Sequence, residues 1–273
     1  MAARGDGMKA WMPRTALPAA LTVLLAGAAQ AQGSGLSGTW IADLSSQQGL
    51  PTDVYSLQDG IYRCRSCTPA REFAADGRVH RVAENVTEAV TILDGRTIAT
   101  MIVQPEVTRT TTMRVASDGR TATYVSVDWR RGVQGPLRTV YLARRVADGP
   151  AGSHAVSGSW RGIRYVSVPI QLRTTTLTDS GSKLGYRTGT GFFYEARVDG
   201  PPVPVRGPYD GSISVSVRRD SAGRLVETRR RGGSDIEVRT YTLAPGGRSL
   251  EIATTNLATN ATFLITARRQ GRH

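Results

Sequence analysis

The residues best suited to chemistry in this 273-residue chain are few: two cysteines, three histidines and a set of clustered arginines. Cys64 and Cys67 have the Cys-x-x-Cys spacing that serves haem attachment, soft-metal binding or dithiol exchange. Haem attachment needs histidine at position 68, where the chain has Thr68. A tetrahedral metal needs two more soft ligands, and the nearest candidate is His80 alone. A redox pair belongs at a helix N-terminus, where the dipole stabilises thiolate, whereas strand-like runs flank this one. A structural Cys64–Cys67 disulfide clamping a turn is therefore expected, with no metal and no cofactor. Closing so small a loop contributes about 2 kcal/mol.

His154 stands in a polar Gly/Pro/Ser stretch and His273 is the final residue, which leaves His80 as the candidate general base. Neither a nucleophile elbow nor a second histidine at metal-ligand spacing accompanies it, so a solvated turn histidine is expected. Lys183 follows Ser182 rather than the glycine a phosphate loop requires. Gly189-Thr190-Gly191 lacks the third glycine of a dinucleotide fingerprint. Carboxylates are scattered, with no pair placed across a shared site. No catalytic residue is assigned, and the chain is read as not an enzyme.

Charge has two readings, the arginine-for-lysine bias that a GC-rich genome produces and a basic surface that attracts polyanions. The 35 basic and 22 acidic residues give a formal charge of +13, and only Lys9 and Lys183 are lysines. Arginines cluster at 130–131, 218–219 and 229–231. On strands they would solubilise a sheet and protect its edges. Gathered on one face, they would bind an anionic envelope polymer such as lipopolysaccharide, with Arg229, Arg230 and Arg231 as the binding candidates. A chain with 6% aromatic residues lacks the stacking platforms of single-stranded nucleic-acid binders, so nucleic acid ranks below the envelope polymer.

The elements that must position these residues are strands. In Ser212-Ile213-Ser214-Val215-Ser216-Val217 apolar and hydroxyl side chains alternate without a break. Thr123, Val125, Val127 and Trp129 share one face of a second run, opposite Ala122, Tyr124, Ser126 and Asp128. Asp-Gly pairs at 59–60, 76–77, 94–95 and 118–119 fall between such runs, where tight hairpins turn. Leu36-Ser37-Gly38-Thr39-Trp40 returns as Val156-Ser157-Gly158-Ser159-Trp160, and each half ends in Ala-Arg-Arg, at 143–145 and 267–269. Ordered landmarks shifted by about 120 residues indicate two whole domains rather than a solenoid. The divisions expected are a domain over 33–146, a polar linker over 147–155 and a second domain over 156–270. Barrel closure would leave neither domain an exposed edge.

The N-terminus has a basic stretch with Lys9 and Arg14, an apolar run over 16–29 and the triplet Ala29-Gln30-Ala31. That layout predicts a signal peptide over 1–31 cleaved before Gln32, hence a periplasmic or secreted protein that does not span the membrane. Ala28 stands where a lipobox would need cysteine. Losing Arg4, Asp6, Lys9 and Arg14 leaves a charge near +11.

Gly38-Thr39-Trp40 and Gly158-Ser159-Trp160 resemble the Gly-x-Trp signature of lipocalin-like barrels. The resemblance implies that each tryptophan, Trp40 and Trp160, closes a barrel base while an arginine from the last strand packs over it. The pairs Arg144-Arg145 and Arg268-Arg269 stand where that arginine belongs, with Arg144 and Arg268 as the candidates. Through Tyr62-Arg63-Cys64-Arg65-Ser66-Cys67-Thr68-Pro69, Asp76-Gly77 and Gly149-Pro150-Ala151-Gly152-Ser153-His154, residues 33–269 also resemble exported tandem lipocalin-like bacterial proteins of unassigned function. The fold expected is all-β, two tandem antiparallel lipocalin-like β-barrels. The function expected is a non-enzymatic exported binding or envelope-associated module for an anionic polymer or a small apolar ligand. The alternative is a hydrolase-type enzyme with its site in a barrel mouth or between the halves. A pocket with convergent polar groups and a perturbed ionisable residue favours the enzyme, and barrels filled by their own side chains favour a surface-acting module.

Overall fold

The structure is a computed structural model that describes residues 35–67, 69–105, 107–207 and 212–271. The expected signal segment lies outside them. In chain order the elements are β1 (Gly38–Gln48), β2 (Thr52–Gln58), β3 (Ile61–Cys64), β4 (Arg71–Ala74), β5 (His80–Ala83), β6 (Val86–Asp94), β7 (Thr97–Gln104), β8 (Val107–Val115), β9 (Thr121–Arg130) and β10 (Leu137–Asp148). They continue with β11 (Gly158–Ser167), α1 (Ile170–Arg173), β12 (Thr174–Asp179), β13 (Lys183–Thr188), β14 (Phe193–Arg197), β15 (Val203–Pro204), β16 (Ile213–Arg219), β17 (Leu225–Arg231), β18 (Ser234–Leu243), β19 (Ser249–Asn256) and β20 (Ala261–Arg269).

Alternation decides which side chains enter the core. Ile213, Val215 and Val217 are buried, with the intervening serines turned outward. On β9 the inward face carries Ala122, Tyr124 and Asp128, while Trp129 is 47% exposed. The Asp59-Gly60 turn between β2 and β3 has φ of 53° and 73°, the two positive angles of a type I′ hairpin turn whose twist matches the strands it joins.

All the strands pair antiparallel into two ten-stranded sheets, each curled into a nearly closed barrel. In the first, edge strands β4 and β5 are tied by Phe73 stacked on His80 at 4.8 Å, and Arg71 of β4 reaches past β5 to pair with Glu88 of β6 at 3.0 Å. In the second, the edge at β14 is bridged by Phe193 to Arg206 and by Val198 to Val217.

The barrels exchange one strand. β1 runs between β12 and β20 in the second barrel, and β11 runs between β2 and β10 in the first. The first barrel is thus β2–β11 and the second is β1 with β12–β20, which departs from the expected division into 33–146 and 156–270. Residues 147–155 do not link the barrels either. They belong to the connection from β10 back to β11 within one sheet, pinned where the His154 amide donates to the Leu57 carbonyl at 2.9 Å. The chain passes between barrels at 49–51 and again at 168–173. Gly49 makes the first passage with φ of 71°, and a Cβ there would lie 2.1 Å from the Thr262 carbonyl oxygen, so only glycine fits.

Each barrel base is built alike. The Trp40 and Trp160 indole N–H groups donate to the carbonyls of Leu36 and Val156, both at 2.8 Å. Arg269 lies over Trp40 at 4.3 Å and Arg145 over Trp160 at 4.2 Å. Arg145 also donates to the carbonyls of Gly119, Ala155 and Ser157, and Arg269 to those of Gly247, Gly35 and Ser37. The base arginines are therefore Arg145 and Arg269, one residue beyond the expected Arg144 and Arg268. Arg144 is exposed, and Arg268 pairs with Asp43 at 2.9 Å on the outer surface. Strand alternation is the reason, since Ala143 and Ala267 point inward and the residue two further on shares their face.

Candidate functional site

A cavity of about 770 Å³ runs through both barrels. Its wall includes residues of both crossing segments, Leu50 and Pro51 from the first and Val168 and Leu172 from the second. Strand exchange thus places the passages between barrels around one common space.

In the first barrel the cavity is lined by Asp53, Tyr55, Tyr62, Tyr124, Tyr141 and Tyr165. Asp53 sits directly across β2–β11 from Trp160. The Tyr141 hydroxyl donates to its carboxylate at 3.4 Å, and Tyr55, two residues along the same face of β2, is a second phenol within range of its charge. Tyr124 stacks on Tyr141 at 4.3 Å, Tyr141 tilts against Tyr165 at 5.6 Å, and Tyr55 stacks on Tyr62 at 5.9 Å. Burial raises the Asp53 carboxyl above its ordinary value, and the neighbouring hydroxyls of Tyr55 and Tyr141 offset this only in part. Burial and the Asp53 charge together raise all five phenols, which keeps them neutral. Among the described residues no Lys, Arg or His forms an ion pair with Asp53. Nearer the rim, Arg109 and Arg130 grip Asp128 at 2.6 and 2.7 Å, and against the cost of burial they hold it below the usual carboxylate range.

The second barrel carries a different set. Glu227 is fully buried and accepts from Arg229 at 2.5 Å, Tyr241 at 2.5 Å and Tyr194 at 2.9 Å. Arg239 pairs with Glu237 at 2.7 Å and donates to the Tyr186 hydroxyl at 3.3 Å. Full burial opposes the Glu227 charge, but Arg229 and Arg239, aided by the Tyr241 bond, override it and hold the carboxyl down at about 2. Arg229 and Arg239 both line the cavity.

The pairing registers align the two barrels position by position. Trp160 opposes Asp53, and Trp40 opposes Thr175. Ala122 opposes Ala143, and two residues further into the barrel Tyr124 opposes Tyr141; the matching pairs are Leu250 with Ala267 and Ile252 with Ile265. The positions of Asp53, Tyr55, Tyr124 and Tyr141 are thus filled by Thr175, Leu177, Ile252 and Ile265 in the second barrel. Conversely Glu227 opposes Arg239 where the first barrel has Thr100 opposite Thr111. The same framework closes with either set, so neither polar wall is needed to form a barrel.

The expected arginine triplet does not gather on one face. Arg229 lines the cavity, Arg230 pairs with Asp235 at 2.5 Å, and Arg231 is exposed. Arg219 of the pair at 218–219 is bound bidentate by Asp179, at 2.9 Å to each oxygen. Cys64 and Cys67 form the expected disulfide, and Cys67 reaches the cavity wall. His80, expected in solvent, lies on β5 between Phe73 and Asp76, with its Nε2 3.0 Å from the Asp76 carboxylate. Among the described residues no group of three or more His, Cys, Asp or Glu could hold a metal, and no helix is long and apolar enough to cross a membrane. Asp53, Glu227 and the tyrosines were not singled out by sequence. Comparing inward positions of the two halves was the available signal, because Asp53 against Thr175 and Tyr124 against Ile252 stand out once the registers are matched. No family model, no curated protein sequence and no solved structure matches the chain.

Proposed function

We propose that the chain is an exported, lipocalin-like binding protein that encloses a small molecule inside its paired barrels, rather than one that works through an arginine-rich outer face. The observation that carries this reading is a cavity of about 770 Å³, walled by both barrels and lined by tyrosines, aliphatic side chains, threonines and nine charged side chains. Its volume is that of a small-molecule site, and its wall mixes apolar surface with polar groups able to fix a guest's orientation. Of the seven arginines in the expected clusters, Arg130, Arg219, Arg229 and Arg230 are engaged in ion pairs at Asp128, Asp179, Glu227 and Asp235, while Arg131, Arg218 and Arg231 are exposed. Asp53 supports a second reading, in which a buried carboxyl of raised pKa acts as acid or base on the enclosed molecule.

Titration of the full chain with the neutral fluorophore N-phenyl-1-naphthylamine tests the choice. Enclosure predicts saturable fluorescence enhancement that changes little with added salt, because an uncharged guest has no charge to screen. Absence of that binding, together with heparin affinity that falls steeply with salt and vanishes in an Arg230→Ser/Arg231→Ser variant, would overturn it.

A further inference from the structure

Among the described residues that line the cavity, Asp53 is the carboxylate without a cation. Glu88 has Arg71, Asp128 has Arg109 and Arg130, and the carboxylates of the second barrel's polar wall, Glu227 and Glu237, have Arg229 and Arg239. Asp53 has only neutral phenols, Tyr55 and Tyr141. An uncompensated carboxylate withdrawn from water destabilises a fold, and the second barrel closes with Thr175 at the same place. Folding therefore does not account for Asp53. Its surroundings are also particular, since Tyr55, Tyr62, Tyr124, Tyr141 and Tyr165 all lie within range of its charge and all line the cavity. The Tyr124 hydroxyl is buried without a hydrogen bond of good geometry, although its ring is stacked and fixed. At the equivalent positions the second barrel has Leu177, Ile252 and Ile265 rather than aromatic rings.

From this we infer that the first-barrel end of the cavity is a subsite for an organic cation, an alkylammonium or quaternary ammonium group, neutralised by Asp53 and enclosed by the tyrosine rings. The inference rests on the cavity being a binding site and names the chemistry of one end of its ligand. A carboxylate supplies the opposite charge, while electron-rich ring faces attract a cation whose methyl groups cannot donate hydrogen bonds. Inorganic cations suit this site poorly, because a single carboxylate with phenols offers too few oxygen ligands to replace their water.

The probe is choline, with its uncharged isostere 3,3-dimethylbutan-1-ol as control, titrated by calorimetry into the full chain and into Asp53→Asn and Asp53→Thr. Choline is expected to bind the unaltered protein roughly tenfold or more tighter than the isostere, and both variants are expected to lose that advantage. Both variants should keep the circular dichroism and the cooperative unfolding transition of the unaltered protein, which shows the barrels intact. Equal binding of choline and isostere, or choline affinity unchanged in Asp53→Asn, would overturn the inference. Fluorophore binding with no choline binding would overturn it while leaving the enclosed site standing. Loss of both probes in the unaltered protein would overturn the two together.

Discussion

Arg145 combines two roles in one side chain: its guanidinium covers Trp160 and donates to three carbonyls of the barrel base. Replacing Arg145 by Leu removes a cation–π contact and strands buried carbonyls, with an expected cost of about 2–4 kcal/mol in chemical denaturation. Replacing the adjacent, exposed Arg144 by Leu should change stability by less than about 0.5 kcal/mol. Glu227 and Asp53 should respond in opposite senses. The Glu227 carboxyl is lowered from 4.5 to about 2, so its contribution is fully present above 4.5 and is lost as pH falls toward 2. Glu227→Gln leaves Arg229 and Arg239 underpaired and should cost about 3–5 kcal/mol at neutral pH, with a shallower loss of stability in acid. The Asp53 carboxyl is raised, so its ionisation penalises the fold increasingly as pH climbs from 3.8 through the folded value. Asp53→Thr should therefore stabilise the protein at neutral pH, and the gain should vanish below about pH 3.8. Denaturation midpoints across a pH series read both effects. The cysteine pair was legible from sequence because only two residues separate its members, whereas Asp53 and Tyr141 are 88 positions apart in the chain and only barrel closure brings them together.

Among the elements, the two Gly-x-Trp strands were visible in sequence, but the barrels they join were not. Each strand offers the same features to either partner. Ser37 bonds the backbone of Asp179 on β12, and Ser157 bonds that of Leu57 on β2, so local pattern cannot tell a strand which half it enters. The choice is made by the short passage at Gly49-Leu50-Pro51, where proline and the tight glycine turn direct β1 away from β2, and by Gly162, whose missing side chain makes room for Leu50. A consequence follows for fragments. Residues 50–168 contain all ten strands of the first barrel together with its Trp160–Arg145 base, and should give a monomer with cooperative unfolding. Residues 33–146 lack β11, and their own β1 is aimed outward, so this fragment should be less stable and should associate by lending β1 to a second copy. Sedimentation and denaturation of the two fragments check this, and a monomeric 33–146 fragment as stable as 50–168 would contradict it. The strands themselves were legible because alternation and Asp-Gly turns are local properties. The expected linker failed because 147–155 reads as polar loop whether it joins barrels or strands.

At the scale of the molecule, strand exchange sets residues of both barrels around one cavity, with Asp53 and tyrosines in one barrel and Glu227 and arginines in the other. Positive charge was legible in the sequence, but its disposition was not, since alternation sends some arginines inward and ion pairing occupies many of the rest. The central claim is that the protein offers one enclosed site and not two. Ser126 and Thr254 line the cavity at equivalent places, one in each barrel. Ser126→Trp and Thr254→Trp should each fill part of the same space. The decisive measurement is the stoichiometry of N-phenyl-1-naphthylamine binding in the unaltered protein and these two variants. One probe per chain is expected, with affinity reduced roughly tenfold or more by either substitution alone. Two probes per chain, with each substitution removing one and leaving the other unchanged, would show two separate barrels and contradict it.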